Sequence, residues 1–263
     1  MEENQDMSFL DHLEELRWRI VKSVIAILVV ATALFFFLEW IMDNIFIAMM
    51  DKDFISFEVM CSYFGMCIEE IKVELKSFKM ATQFTYSLIM SILGGFIIAF
   101  PFVFYQLWAF VKPGLRQREM RMMRGIVFYV SVLFFIGVLF GYFVVAPLCV
   151  QFFGAYQISE KIENNIGIDN YIGLITSSVF YTGLLFLLPI LIYVLSKIGI
   201  MTPGFLRKYR KHAIVGVLVL SAIITPPDFI SQIIVSIPII ILYEIGILLA
   251  ARVEKQRIKA ELK

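Results

Sequence analysis

The sequence predicts an all-α membrane protein with six transmembrane helices, both termini in the cytoplasm and the last two helices short. Its 263 residues are 60% hydrophobic and only 17% charged, whereas soluble domains are about 45–50% apolar and about 25% charged. The mean hydropathy is +0.85. Long apolar runs alternate with polar segments, and Lys and Arg are concentrated in every second polar segment. These features are typical of a polytopic membrane protein.

Residues 1–19 are predicted as a cytoplasmic segment in which residues 8–19 form an amphipathic helix on the membrane surface. Glu15 precedes Arg19 by four residues, the favourable order for an ion pair on a helix. This helix leads into a first span over about residues 20–38. The acidic N-terminus lacks the basic start of a signal peptide, so the first span is expected to direct membrane insertion.

Residues 39–80 are predicted as the first periplasmic loop, the longest polar segment of the chain. Apolar residues recur at helical spacing over residues 68–80, which predicts a helix at the end of the loop. Cys61 and Cys67 lie six residues apart in this loop and are predicted to form a disulfide, with two thiols as the alternative. Cys149 lies in apolar sequence and is interpreted as a small packed core residue.

The remaining apolar runs predict five further spans. The last two runs contain only 13 and 14 residues, about 20 Å of helix against a hydrocarbon core of about 30 Å. A locally thinned bilayer is the preferred explanation. The turn between them, Pro226, Pro227 and Asp228, is predicted to cap the last helix, with Gln232 in its first turn. The predicted spans are residues 84–111, 126–153, 171–195, 213–225 and 230–243.

The distribution of Lys and Arg predicts the orientation of the chain. Of 23 such residues, 18 fall in four segments and only five in the segments between them. Because basic loops stay in the cytoplasm, both termini are placed there, with residues 112–124 as the first cytoplasmic loop and 251–263 as the tail. The net charge of +1 gives no indication of nucleic-acid binding. The four basic segments are residues 17–22, 112–124, 197–211 and 252–263.

Two carboxylates at the predicted cytoplasmic rim are the main candidate site. Glu119 lies in the 112–124 loop among four arginines, and Glu15 lies on the N-terminal helix. If they face one groove, they form a pocket for guanidinium groups, whose planar fork matches carboxylate geometry. The alternative is local pairing, of Glu15 with Arg19 and of Glu119 with its neighbouring arginines.

Glu244 lies inside the last apolar run and is a candidate functional acid, since ionisable residues at such depth are uncommon. The alternative is a carboxylate that reaches the interface or pairs with a nearby arginine. No nucleophile motif, phosphate-binding loop or metal-ligand spacing is present, so a binding or transport protein without catalytic residues, metal or cofactor is expected. A secondary transporter of a small solute stays open as the second hypothesis, although no inverted repeat is visible.

Four stretches of the chain resemble the TatC family, the multispanning subunit of the twin-arginine protein translocase. A weaker fifth match is YEIG at 243–246. The stretches occur in the family's order, and the resemblance covers nearly the whole chain as a single transmembrane domain, 1–263. They are FLDHLEELRWRI at 9–20, FPFVFYQLWAFVKPGLRQRE at 100–119, FGYFVVAP at 140–147 and TPPDFISQ at 225–232.

The resemblance implies a concave, cup-like bundle in the bacterial inner membrane that receives twin-arginine signal peptides at its cytoplasmic face. It implies export of folded proteins driven by the proton motive force, with single-span TatA- and TatB-type subunits and a homo-oligomeric receptor complex. The two acids of the family's recognition site correspond to Glu15 and Glu119. Neighbouring pattern positions are Arg17, Arg19, Phe110, Pro113, Gly114 and Leu115.

The chain departs from the family pattern at two positions. Met49 stands near the point where the family often has a proline after the first span. Leu187 stands where the family often has Glu or Gln, two residues before the fourth-span proline. The resemblance therefore leaves open whether another polar residue replaces the one missing at 187 or the packing of partner subunits differs.

Overall fold

The structure is a computed structural model that describes residues 9–51, 54–64, 74–112, 125–157, 159, 165–224 and 229–261. These residues are predominantly helical, as the composition predicts. The described residues form two compact units. The first lies within Met1–Phe37 and Ser91–Val132, and the second within Leu38–Met90 and Leu133–Lys263.

Most of the described chain lies in helices that follow the apolar runs of the sequence. A π-helical turn at Met42–Phe46 and a 3-10 turn at Ile47–Met50 follow the second helix, and a π-helical turn at Gly141–Val145 joins the fifth helix to the sixth. The α-helices are α1 Phe9–Phe35, α2 Leu38–Ile41, α3 Ile55–Phe64, α4 Thr82–Val111, α5 Ile126–Phe140, α6 Ala146–Ala155, α7 Ile168–Leu185, α8 Leu188–Lys197, α9 Pro203–Lys208, α10 Arg210–Ile224 and α11 Phe229–Glu261.

Five segments of the described chain are long and apolar enough to cross a membrane. They agree with five of the six predicted spans. The remaining predicted span, residues 213–225, corresponds to α10, whose 15 residues are short for a bilayer. The five segments are His12–Phe35, Thr82–Val111, Ile126–Ala155, Ile168–Lys197 and Gln232–Ile258.

The expectation of a short last helix is wrong. Helix α11 contains 33 residues and continues through the charged tail as far as Glu261. The predicted span ended at Tyr243, next to the charged residue Glu244. Residues 245–250 are again apolar and glutamate is a good helix former, so the helix passes through Glu244 without a break. Only α10 keeps the predicted short length.

Two local predictions also change. Helix α1 runs from Phe9 to Phe35 without a break, so the amphipathic segment is the first part of the same helix rather than a separate one; no Gly or Pro interrupts it. The predicted helix over residues 68–80 is replaced in its described part by strand β1, Glu74–Lys76. This strand pairs in parallel with β2, Asn165–Gly167, a partner too distant in sequence to be visible as a local pattern.

In the first unit, α1 and α4 come close together at Gly94 and Gly95. A Cβ atom built on Gly95 would lie 2.9 Å from the backbone of α1, at Ala31 N and Ile27 O. Gly94 is similarly close to Leu34, whose Cδ1 would lie 2.9 Å from such an atom. Glycine is therefore required where the two helices come closest.

In the second unit, side chains from α6, α10 and α11 form one buried cluster that includes Cys149, Val217 and Ile239. Cys149 is completely buried, which confirms its predicted packing role. A second cluster joins α8, α9 and α11 through Ile192, Leu206 and neighbouring residues. These two clusters fix the last three helices against the rest of the unit.

The segment after α2 is held by tyrosines from later helices. Tyr142 donates a hydrogen bond to the Ile45 carbonyl at 2.8 Å, and Tyr171 donates one to the Phe46 carbonyl at 2.6 Å. Met49, which stands near a usual proline position, is fully buried. Met49 is therefore part of the buried core at this point of the chain.

Candidate functional site

Glu15 is held by Arg19 on the same helix. Its Oε1 atom accepts hydrogen bonds from Arg19 Nε at 2.9 Å and Nη2 at 2.5 Å. The Glu15 side chain is 26% exposed, so the carboxylate is accessible while its rotamer is fixed. This is the local pairing that the sequence offered as the alternative for Glu15, and it leaves the second oxygen, Oε2, outside the Arg19 contacts.

Gln106 on α4 orients Arg19 from the facing helix. Its side chain is buried, and Arg19 Nη1 donates a hydrogen bond to its Oε1 at 3.3 Å. Gln106 was not predicted from the sequence, although it is the one amide side chain in the apolar run from Pro101 to Val111. An isolated amide in such a run indicates a buried hydrogen bond.

His12 links the beginning of α1 to the end of α4. Its ring stacks on Phe110 with a centroid distance of 4.3 Å and an interplanar angle of 14°. His12 Nδ1 lies 3.9 Å from Glu15 Oε2, which is too long for a hydrogen bond. The predicted site residue Phe110 is therefore in the same neighbourhood as Glu15, and His12 is a further member of it.

Several predicted site residues lie outside the described residues. This holds for Glu119 with Pro113, Gly114 and Leu115, for the turn residues Pro226, Pro227 and Asp228, and for Cys67. The described chain reaches Lys112, two residues beyond Phe110. The loop that carries Glu119 therefore starts next to the ring stack of His12 and Phe110.

Glu244 is paired with an arginine of another helix. Its Oε2 atom accepts a hydrogen bond from Arg210 Nη2 at 2.6 Å, and both side chains are nearly half exposed. The pair joins the first residue of α10 to the middle of α11. The structure thus agrees with the alternative interpretation of Glu244, in which the carboxylate pairs with an arginine. That arginine lies 34 positions away in the sequence.

The other predicted positions have separate surroundings. Arg17 is exposed on α1, and Gln232 Nε2 donates a hydrogen bond to the Leu218 carbonyl at 3.1 Å. Cys61 is disulfide-bonded; because Cys67 is not described, the pairing of these two cysteines stays a prediction. Leu187 caps the break between α7 and α8 with its backbone.

A sequence model described as "Sec-independent protein translocase protein (TatC)" matches residues 11–238. The chain belongs to the TatC family. The matched range contains Glu15, Gln106, Glu119 and Arg210, and it ends inside α11. Membership in the TatC family, together with several apolar helices, makes the chain a multi-pass membrane protein of a protein translocase.

Individual TatC proteins and structures are similar over almost the whole chain. The TatC protein of Blattabacterium sp. subsp. Periplaneta americana is 36% identical, with 97% of this chain and 99% of the relative covered. That of Aquifex aeolicus is 33% identical, with coverages of 97% and 100%. A crystal structure titled "Twin Arginine Translocase Receptor- TatC" is 32% identical, with a TM-score of 0.70 over 92% of this chain and 99% of that chain.

Proposed function

We propose that this chain is the receptor and core subunit of a twin-arginine translocase, which binds twin-arginine signal peptides at its cytoplasmic face and exports folded proteins using the proton gradient. Family membership supports this function over a small-solute transporter. The single structural observation that carries the binding site is the Glu15 carboxylate, which is partly exposed and fixed in one orientation by Arg19.

The two oxygens of Glu15 have different roles in this proposal. Oε1 is occupied by the Arg19 guanidinium. Oε2 retains acceptor capacity for an arriving guanidinium group, because a carboxylate offers about four lone-pair sites. A charge-assisted hydrogen bond is stronger than a neutral one, and the Glu15 side chain is already ordered before the peptide binds. Glu15 therefore binds one arginine of the signal.

Glu119 is proposed as the acceptor for the second arginine. It lies seven residues after Lys112, and a chain of that length reaches at most about 25 Å. Phe110 stacks on His12, which precedes Glu15 by three residues on α1. The loop therefore begins close to the Glu15 carboxylate. Pro113, Gly114 and Leu115 would direct the loop, and Arg17 would line its rim. Two carboxylates within one surface match two adjacent guanidinium groups.

The test is binding of synthetic signal peptides to the detergent-solubilised full chain. The wild-type chain should bind a twin-arginine peptide at least tenfold more tightly than a twin-lysine peptide, because Lys lacks the planar fork. Glu15→Ala or Glu119→Ala should each reduce twin-arginine binding at least tenfold. Glu119→Lys should be weaker still, since it adds repulsion to the lost pairing.

Glu14→Ala is the matched control, because it removes a carboxylate from the neighbouring, exposed position of the same helix. It should leave peptide binding within about twofold, which is less than 0.5 kcal/mol. Unchanged binding in both Glu15→Ala and Glu119→Ala would contradict the two-carboxylate site. Equal binding of twin-arginine and twin-lysine peptides would contradict the receptor function.

The proposal includes the setting of the protein. Both termini are placed in the cytoplasm of a bacterium, with six spans in the inner membrane, and TatA- and TatB-type single-span subunits join the chain during transport. The chain is proposed to act by binding and conformational change, without catalysis. A short α10 would favour a thin bilayer beside it, which lowers the free energy of passing a folded cargo.

A further inference from the structure

We propose that residues 203–212, named here the basic corner, bind the headgroups of anionic phospholipids. The basic corner comprises α9 and the start of α10. It follows the candidate span that ends at Lys197. It therefore lies at the membrane surface in either orientation of the chain. The proposal goes beyond signal recognition, because it concerns residues of the second unit that take no part in the Glu15 site.

The inner side of the basic corner is fixed to the second unit. Leu206 is only 4% exposed and packs with Ile192 and Ile247. The Tyr243 hydroxyl donates a hydrogen bond to the Leu206 carbonyl at 2.9 Å. Thr202 caps α9 by accepting a hydrogen bond from the Phe205 N–H at 3.2 Å. The orientation of the outward side chains is therefore set by packing.

Two aromatic rings point outward from this fixed segment. Phe205 and Tyr209 are 51% and 40% exposed, and their ring centroids lie 4.6 Å apart. Exposed aromatic rings at the end of a transmembrane helix are characteristic of the lipid interface, where the ring contacts acyl chains and polar groups contact the headgroups. The ring pair thus indicates contact with a bilayer rather than with bulk water.

Cations flank the ring pair in the sequence. Arg207, Lys208 and Lys211 are all exposed, and Lys208 Nζ lies 5.9 Å from the centroid of the Tyr209 ring. The sequence from 198 to 213 contains no Asp or Glu. Within the ranges that the structure describes, Arg207 and Lys211 have no carboxylate partner. Arg210 differs from them because it is bound to Glu244.

The combination of rings and cations favours a lipid over other anions. Free phosphate would use the cations but has no contact for the rings, and an acidic polypeptide in water would leave them exposed. A phospholipid satisfies both, with its phosphate at the cations and its upper acyl chain at the rings. Each Lys or Arg near an anionic bilayer strengthens binding about fivefold.

The test is native mass spectrometry of the full chain in detergent, titrated with phosphatidylglycerol or with phosphatidylcholine of the same acyl chains. The wild-type chain should bind phosphatidylglycerol at least tenfold more tightly. The variant Arg207→Gln/Lys208→Gln/Lys211→Gln should lose that preference. The charge-preserving variant Arg207→Lys/Lys208→Arg/Lys211→Arg should keep it, which separates loss of charge from loss of fold.

The control is Lys22→Gln/Lys79→Gln/Lys112→Gln, which also removes three positive charges at exposed positions. It should change phosphatidylglycerol binding less than threefold. An equal loss in the control would show general charge attraction and overturn the proposal. Displacement of the lipid by millimolar inorganic phosphate or by a poly-glutamate peptide would also overturn it, in favour of a free-anion or acidic-protein site.

Discussion

At the scale of single residues, the Glu15 carboxylate depends on a chain of contacts that crosses two helices. Gln106 on α4 accepts a hydrogen bond from Arg19, and Arg19 donates two to Glu15. Arg19 thus fixes the orientation of the Glu15 carboxylate as well as pairing with its charge. Arg19 can affect the binding of a peptide guanidinium group in two ways. It can hold the Glu15 carboxylate in place for that group, or it can compete with that group for the carboxylate. The geometry favours positioning, because both Arg19 contacts use the same oxygen.

Arg19→Lys tests that distinction. Lysine keeps the charge but cannot bind Glu15 and Gln106 with one planar fork. We expect twin-arginine peptide binding to weaken roughly fivefold, which corresponds to about 1 kcal/mol, measured by titration of the labelled peptide onto purified protein. Gln106→Leu should weaken it in the same direction, while Gln83→Leu, an exposed glutamine of the same helix, should have no effect. Tighter binding by Arg19→Lys would instead identify Arg19 as a competitor.

At the scale of helices, close packing of α1 and α4 positions the site residues. Gly95 faces backbone atoms of α1 at a distance that no side chain permits, and Arg19 and Gln106 face each other nearer the site end of the same helix pair. A Cβ atom at 95 must therefore move the helices apart or distort one of them, which changes the separation on which the hydrogen bond to Gln106 depends.

Gly95→Ala should therefore destabilise the protein by about 1–3 kcal/mol, as overpacking usually does. For a chain of this size we expect a loss of about 3–10 °C in the melting temperature, measured in detergent by fluorescence-detected gel filtration after heating. Gly216→Ala is the matched control, because a Cβ at that helical position meets no atom within 4 Å. Its melting temperature should stay equal or rise slightly; an equal loss in both variants would contradict the packing argument.

The ion pair between Arg210 and Glu244 connects the two last helices. Both side chains are nearly half exposed, so water screens the interaction. Arg210→Gln and Glu244→Gln should each lower the melting temperature, and the double variant should lose less than the sum. The coupling free energy from the double-mutant cycle should be about 0.5–1 kcal/mol, within the range of solvated pairs. A coupling near zero would mean that the pair is fully hydrated.

At the scale of the whole molecule, the features that follow from local periodicity and hydropathy could be predicted from sequence. The described parts of the second, third and fourth spans agree with their predicted ranges, because a membrane span is encoded in consecutive apolar residues. The same holds for the burial of Cys149 and for the pairing of Glu15 with Arg19, which was visible as a four-residue spacing.

Features that depend on distant partners could not be predicted. Strand β1 is extended because β2 pairs with it, and Glu244 forms its ion pair with Arg210 of another helix. Each partner lies far away in the sequence from the residue it contacts, so no window of local sequence contains the information. Gln106 was predictable in principle, since its polarity stands out in an apolar run, but its partner Arg19 lies 87 positions away.

The number of spans is the remaining question at this scale, and α10 decides it. Its 15 residues extend about 22 Å, less than the hydrocarbon core of about 30 Å. Its apolar side packs against α11 through Val217, Val235 and Ile239, which holds it beside a helix that is long enough to span. The charge distribution of the chain favours an even number of crossings. We therefore expect α10 to cross a locally thinned bilayer, which gives six spans.

Reporter fusions test this directly, since alkaline phosphatase is active only outside the cytoplasm and green fluorescent protein folds inside it. Fusions after Gly199, at the end of the fourth candidate span, and after Lys263 should fluoresce and lack phosphatase activity. A fusion after Ile224, at the end of α10, should show the opposite. If α10 does not cross, the Ile224 fusion should fluoresce and lack phosphatase activity, like the Gly199 fusion. The Lys263 fusion should then have phosphatase activity and no fluorescence. Such a result would remove the cytoplasmic tail and the six-span arrangement together, because α11 alone would then reverse the orientation of the C-terminus.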